Sequence, residues 1–313
     1  MAKYVFGIDV GGTTVKLGMF DTDGNILDKW EIPTRKENGG EKILPDIAVS
    51  IRAKMEEKQI PENDITGVGI GVPGPVDGNG VVHRAVNLGW GQFDLKKEMT
   101  ALLGGGIRVE GGNDGNVAAL GEMWKGGGQG YKNVITITLG TGIGCGIIIG
   151  GEIMTGSSGC AGEFGHIHIE DNETEACGCG NFGCLEEYAS ATGITRLANR
   201  MLAGTDMDSV LRGQEISAKA VFDAVKAKDE LAIRIAEQFG KYLGKGLSII
   251  AGIINPEIFV IGGGVSKAGE VLFDYIKPPY NKYVFHGCKD TVFALATLGN
   301  DAGIFGAAKM VLD

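Results

Sequence analysis

One short pattern occurs twice in this chain. Ile8-Asp9-Val10-Gly11-Gly12-Thr13 is echoed by Ile137-Thr138-Leu139-Gly140-Thr141-Gly142. The first copy joins the apolar runs Tyr4–Val10 and Val15–Phe20, and the second joins Asn133–Leu139 and Cys145–Ile149. Apolar runs rich in β-branched residues and separated by a glycine turn read as β-hairpins. Each turn offers consecutive backbone N–H groups, little steric bulk and a neighbouring hydroxyl, the arrangement that wraps a phosphate oxygen. Two structural hairpins would need no ligand. Their pairing, with the acid Asp9 in the first, favours a grip on the polyphosphate tail of a nucleotide.

Around the hairpins the periodicity is that of an α/β protein. Further strands are predicted at Asn25–Pro33, Ile65–Val72 and Glu257–Ile261, and helices at Ile43–Lys58, Gly115–Trp124, Leu185–Leu202, Ala218–Ala227 and Glu230–Ile254. In the last helix Ala236, Phe239, Leu243, Leu247, Ile250 and Ile254 fall at three- and four-residue steps and make one apolar face. A helix is expected after Gly262-Gly263-Gly264. A length of 313 residues suggests about two domains. Glycine supplies 54 of them, far above the usual ~7%, in short groups where backbone must turn or come close to a ligand. No G-x-x-x-x-G-K-[ST] loop is present. Gly69-Ile70-Gly71-Val72-Pro73-Gly74 matches G-x-G-x-x-G in letters only, because it runs into the turn Pro75-Val76-Asp77-Gly78 and not into a helix.

A formal charge of −10 argues against nucleic acid as the main partner. No run approaches the ~18 apolar residues of a membrane span, and Asp9 interrupts the start of the chain before a signal region can develop. The expectation is a cytoplasmic protein with neither a nucleic-acid nor a membrane partner.

Six cysteines divide into two groups. Cys145, Cys160 and Cys288 are scattered. Cys177, Cys179 and Cys184 form C-x-C-G-x-x-G-C, whose glycines let the loop curl back. In a reducing compartment a metal fits this spacing better than a disulfide. Three thiolates and one imidazole make a closed tetrahedral zinc site, and His166 and His168 are both candidates for the imidazole. A site filled by four protein ligands organises a loop and does not activate water.

Taken together, these segments are similar to the ROK family (repressors, open reading frames and kinases), and within it to sugar kinases nearest the bacterial ATP-dependent glucokinases. The resemblance covers essentially the whole chain. It is carried by Asp9-Val10-Gly11-Gly12-Thr13, Asn113-Asp114-Gly115-Asn116, Leu139–Gly146, Gly162-Glu163-Phe164-Gly165-His166 and Cys177–Glu186. It implies an actin-like, hexokinase-type (ribonuclease H-like) fold with two lobes around a cleft. The lobes are expected at residues 1–114, with a C-terminal helix at 301–313 packing on them, and at residues 115–300 with the zinc loop. It also implies His166 as the fourth zinc ligand beside Cys177, Cys179 and Cys184, its outward N–H facing the sugar.

The same resemblance implies phosphorylation of glucose to glucose 6-phosphate. Asp114 is the expected base, although an Asp before a helix is more often its cap. Glu163, His166 and Glu186 are expected on sugar hydroxyls with Asn113, Asp114 and Asn87. Gly11, Gly12, Thr13 and Thr14 form the first phosphate turn and Gly140, Thr141 and Gly142 the second. Asp9 acts on Mg²⁺, and adenosine packs on Gly262, Gly263 and Gly264. Lys16 has a weaker claim on a phosphate. Kinases for N-acetylglucosamine, N-acetylmannosamine, fructose or allose are the close alternatives, and ADP or polyphosphate the alternative donors to ATP. A sugar-sensing repressor is disfavoured, because the DNA-binding segment of such proteins precedes the first glycine hairpin, which here begins at Asp9. Relatives are commonly dimers or tetramers, so a homodimer or homotetramer is expected.

Overall fold

A computed structural model describes residues 3–312. The first hairpin expands into a sheet of β1 (Tyr4–Val10), β2 (Thr14–Asp21), β3 (Ile26–Pro33), β4 (Ile65–Val72) and β5 (Val109–Asn113), in the order β3-β2-β1-β4-β5. β1, β2 and β3 are antiparallel, with Asp9 opposite Lys16, and β4 and β5 run parallel to β1. The second sheet comprises β6 (Val134–Leu139), β7 (Ile143–Ile149), β8 (Glu152–Ile153), β9 (Ile258–Gly262) and β10 (Val292–Leu295), in the order β8-β7-β6-β9-β10. Counted along the chain, both sheets have the order 3-2-1-4-5. The two glycine turns join strands one and two of each.

The helices are α1 (Ile43–Glu57), α2 (Leu95–Leu102), α3 (Asp114–Lys125), α4 (Glu186–Ala189), α5 (Ala191–Ala203), α6 (Ala218–Lys226), α7 (Glu230–Ile254), α8 (Val271–Tyr283) and α9 (Ala302–Lys309). Two compact units result. One holds Met1–Lys132, Gly146–Gly162 and Leu298–Asp313, the other Asn133–Cys145 and Glu163–Thr297. No helix among the described residues is long and apolar enough to cross a membrane.

In the first unit Ile43, Ile47 and Ile51 of α1 bury against Ile8, Val68 and Ile70. The other face of this sheet receives α9, where Ile304 and Ala308, with Val311 just beyond the helix, join Val5 and Phe20. Glycines let α9 approach this closely. A Cβ on Gly7 or Gly69 would overlap the Ile304 or Ala307 carbonyl, and one on Gly306 would overlap the Val117 carbonyl of α3. In the second unit α7 is capped by Asp229, which accepts from the Ala232 amide at 2.9 Å, and stopped by Asn255 at φ 53°. Its expected apolar face is buried through Leu247 and half-buried at Ile250 and Ile254.

Two expectations need correction. The helix expected over Leu185–Leu202 breaks at Ser190, whose extended backbone (ψ 175°) ends α4 while its Oγ accepts from the Gly193 amide at 2.9 Å to cap α5. After Gly264 the chain makes a 3₁₀ turn, Val265–Ala268, and α8 begins only at Val271.

Overpacking a glycine against backbone leaves no room for relaxation. Gly69→Ala should lower the stability read by chemical denaturation by about 3 kcal/mol, whereas Gly12→Ala, which meets nothing within 4 Å, should stay within about 0.5 kcal/mol.

Candidate functional site

In the second unit the cysteine loop closes on itself. The Cys177 amide donates to the Asn181 carbonyl and the Gly180 amide to the Cys177 carbonyl, both at 2.8 Å, with Gly180 at φ 91°. This folds the three cysteines toward His166. The ligand atoms of His166, Cys177, Cys179 and Cys184 lie within 4.8 Å of one another. Cys179 Sγ is 3.6 Å from Cys184 Sγ, and Cys177 Sγ is 3.7 Å from His166 Nδ1. His168 points elsewhere: its Nδ1 is 2.9 Å from the Phe182 carbonyl and its Nε2 is 2.8 Å from Asp171. Burial holds the Cys177 and Cys184 thiols above their usual pKa, while a backbone hydrogen bond from Asn181 lowers that of Cys179. Three convergent thiols and an imidazole fit a tetrahedral Zn²⁺, which would take the thiolate forms. Burial pushes the isolated Cys145 up to about 12.

Glu186, the first residue of α4, stands at the centre of this region. Its Oε1 accepts from Cys177 Sγ at 3.0 Å and lies 3.5 Å from His166 Nδ1, and its Oε2 accepts from the Ile143 amide at 3.3 Å. The other ring nitrogen of His166, Nε2, is 3.8 Å from the largely exposed Glu163. Thus Glu163, His166 and Glu186 gather around one imidazole, and Glu186 also reaches the second glycine turn. That turn is closed by the Gly140 amide on the Gly142 carbonyl at 3.0 Å.

Nearby, the three glycines after β9 separate into different roles. Gly263 is required by the backbone, at φ 83° and against Leu139. Gly264, at φ −62°, has nothing within 4 Å where a Cβ would stand. It borders a cavity of about 140 Å³ walled by Ala218, Phe222 and Val265. Ala218 and Phe222 escaped the sequence reading because they lie on α6, far along the chain, and have no motif.

In the first unit Asn113, and not Asp114, caps α3. Its Oδ1 accepts from the Asn116 amide at 3.1 Å, and its Nδ2 donates to the Gly74 carbonyl and to Asp114 Oδ1, both at 3.1 Å. Asp114 Oδ1 also accepts from the Gly115 amide at 2.8 Å. One oxygen of Asp114 takes both bonds, so the carboxylate is held by one edge. Burial raises the pKa of Asp114, with these bonds opposing. Burial also raises that of Asp9 to about 6, with Lys16 lowering it and the charge of Asp114 adding to it. A half-buried, desolvated acid of this kind fits a hard cation, which would supply a compensating positive charge.

The first glycine turn is closed by the Gly11 amide on the Thr14 carbonyl at 3.0 Å, and Gly12 and Thr13 are exposed. Lys16 Nζ donates to the Asn300 carbonyl at 3.0 Å. Asn87 is exposed on the turn Val86–Leu88 and makes no hydrogen bond to Asn113 or Asp114.

The ROK family profile matches residues 5–313. The chain belongs to the ROK family. A glucokinase of Halalkalibacterium halodurans is 42% identical over 99% of this chain and 95% of that protein. Among solved structures, a ROK hexokinase from Thermus thermophilus superposes with a TM-score of 0.79 at 31% identity, covering 97% of this chain and 96% of that one. A ROK family glucokinase from Streptomyces griseus, in complex with glucose and AMPPNP, has a TM-score of 0.72 at 33% identity and covers 98% of each chain. The paired 3-2-1-4-5 sheets are accordingly those of the actin-like, hexokinase-type fold.

The Asp9 environment has a thermodynamic consequence. A carboxyl whose pKa is higher folded than unfolded contributes stability that is complete below about pH 4 and lost as pH rises through about 6. Without added metal, Asp9→Asn should therefore be more stable than the wild type by about 1–3 kcal/mol above pH 7, with the difference vanishing near pH 4 in parallel denaturation curves.

Proposed function

We propose that this chain transfers the γ-phosphoryl group of ATP to O6 of glucose, with Asp114 as the general base. The observation that carries this reading is the division of labour at the start of α3. Asn113 takes the cap, and Asp114 presents a half-buried carboxylate pinned by one oxygen. A base is useful when its position is fixed and its pKa is raised from the ordinary carboxylate range, and desolvation raises that of Asp114. The similarity to glucokinases over the full length supports glucose as the substrate and ATP as the donor.

The roles follow from the chemistry of each group. Amides of the turns Gly11–Thr14 and Gly140–Gly142 hold phosphate oxygens. Gly12 and Gly140, with open space where a Cβ would stand, leave the backbone accessible for this. Asp9 would hold Mg²⁺, which would spread the charge of the transferring phosphoryl group. Glu163, Glu186 and Asn113 bond sugar hydroxyls, and His166 donates to the sugar from one ring nitrogen while the other would join Cys177, Cys179 and Cys184 in holding Zn²⁺. Zinc would supply no reaction chemistry here; it would hold the imidazole of His166. O6 of glucose loses its proton to Asp114 and attacks the γ-phosphorus, the bond to the β–γ bridging oxygen breaks, and ADP departs. The cavity beside Gly264 takes the adenosine, between glycine backbone and Phe222.

Coupled ADP release with Mg-ATP over a panel of hexoses tests the substrate. Glucose should be turned over best, and a preference for an N-acetylhexosamine would overturn that choice. Asp114→Asn should lower kcat by about 10²–10⁴-fold and leave both KM values nearly unchanged; near-normal turnover would remove Asp114 from its role. Gly264→Leu, whose side chain fills the cavity without strain, should raise the KM for ATP about tenfold and spare that for glucose.

A further inference from the structure

Outside the substrate and metal residues, one buried ionic network fastens both flanks of the cysteine loop. Glu173, on the side leading to Cys177, has a side chain only 3% exposed. Its Oε2 accepts from Tyr188 Oη at 2.5 Å and from Arg200 Nη1 at 3.1 Å, and its Oε1 accepts from the amides of Thr174 and Glu175 at 2.9 and 3.0 Å. Arg196 of α5, 13% exposed, sits among three acids: Nη2 is 2.8 Å from Glu173 and 3.0 Å from Glu175, and Nη1 donates to Glu187 at 2.8 Å. Tyr188 stacks on Tyr242 of α7 with ring centroids 4.2 Å apart. Tyr242 Oη donates to Glu170 at 3.1 Å, and Lys245 Nζ donates to the Ile169 carbonyl at 3.3 Å.

The attachment points are Ile169 to Glu175 before the first cysteine, and Glu187 and Tyr188 after the last. Glu187 adjoins Glu186, so whatever fixes the rotation of α4 also fixes the carboxylate that meets Cys177, His166 and Ile143. Stability alone gives little reason for such a network. Buried ion pairs cost about as much in desolvation as they return, and both Nε and Nη2 of Arg196 are buried without a hydrogen-bond partner, so Nη2 meets Glu173 and Glu175 as a charge contact only. What charges do supply, and apolar packing does not, is a single geometry.

We propose that the Glu173–Arg196 network is a positioning device that holds the flanks of the cysteine loop and Glu186 in place independently of the metal. Metal then enters a folded loop and orients only the imidazole of His166, unlike small zinc domains that fold on binding. The part concerning metal rests on the zinc reading above; the part concerning loop order does not.

Hydrogen exchange read by mass spectrometry on the metal-stripped full-length protein tests it, with Glu173→Gln and Arg196→Met beside the wild type. Segment 169–189 of the stripped wild type should stay nearly as protected as in the zinc-loaded protein. Glu173→Gln should exchange there about tenfold faster with the remainder unaffected. The same variant should release zinc to a chromophoric chelator about tenfold faster and raise the KM for glucose but not for ATP. Glu173→Gln keeps its one oxygen for the Thr174 and Glu175 amides and offers an NH₂ to Tyr188 Oη, which can accept, so it carries the test if Arg196→Met does not fold. Exchange in the stripped wild type as fast as in the variant would overturn the proposal, because the metal alone would then order the loop. So would a lowered melting temperature with exchange, zinc release and KM all unchanged, the result of a merely structural role. A protected loop in a stripped protein that, once reloaded, phosphorylates no hexose would support the network and remove the sugar reading instead.

Discussion

The carboxylate of Glu186 is the contact on which the second unit depends. It meets the Cys177 thiol on one oxygen and the Ile143 amide on the other, with His166 Nδ1 at 3.5 Å. One charged group thus ties the cysteine loop to the strand that follows the second glycine turn. The neighbouring glycines are consequences of it. A Cβ on Gly142 would run into this carboxylate, and one on Gly165 would strike the Ile143 carbonyl and crowd the same acid. Moving Glu186 would therefore disturb a candidate sugar contact, the cysteine cluster and the second glycine turn at once.

The first unit solves a related problem with different residues. Its sheet has the same strand order, and its glycine turn also joins strands one and two. Here the charged groups are Asp9, at the end of β1, and Asp114, at the start of α3. Both are desolvated, and the charge of Asp114 adds to the cost of ionising Asp9. The second copy of the hairpin has Thr138 where the first has Asp9. The two hairpins therefore share the turn, and only the first has an acid at this position.

What was legible in the sequence is what local chemistry dictates. β1 and β2, β6, the long α7 and the curl of Cys177–Cys184 come from period, turn glycines and close spacing, which act within a few residues. The break at Ser190 was hidden inside an apolar period that continues across it; the signal was a serine three residues before Gly193, a weak cap signature. Asn113 and Asp114 are adjacent polar residues, and only the geometry decides which of them caps. Spacing left both His166 and His168 available, and their ring partners separate them. The network of Glu173, Arg196 and Tyr188 joins three elements, and nothing local marks those residues as neighbours.

The central claim is that a structural metal and the sugar share one imidazole, so that the metal governs sugar binding and not nucleotide binding. Calorimetric titration of glucose and of a non-hydrolysable ATP analogue into zinc-loaded and zinc-stripped protein tests this most directly. The account expects stripping to abolish glucose binding while the analogue binds with unchanged affinity. Glucose binding of equal strength in both forms would contradict it.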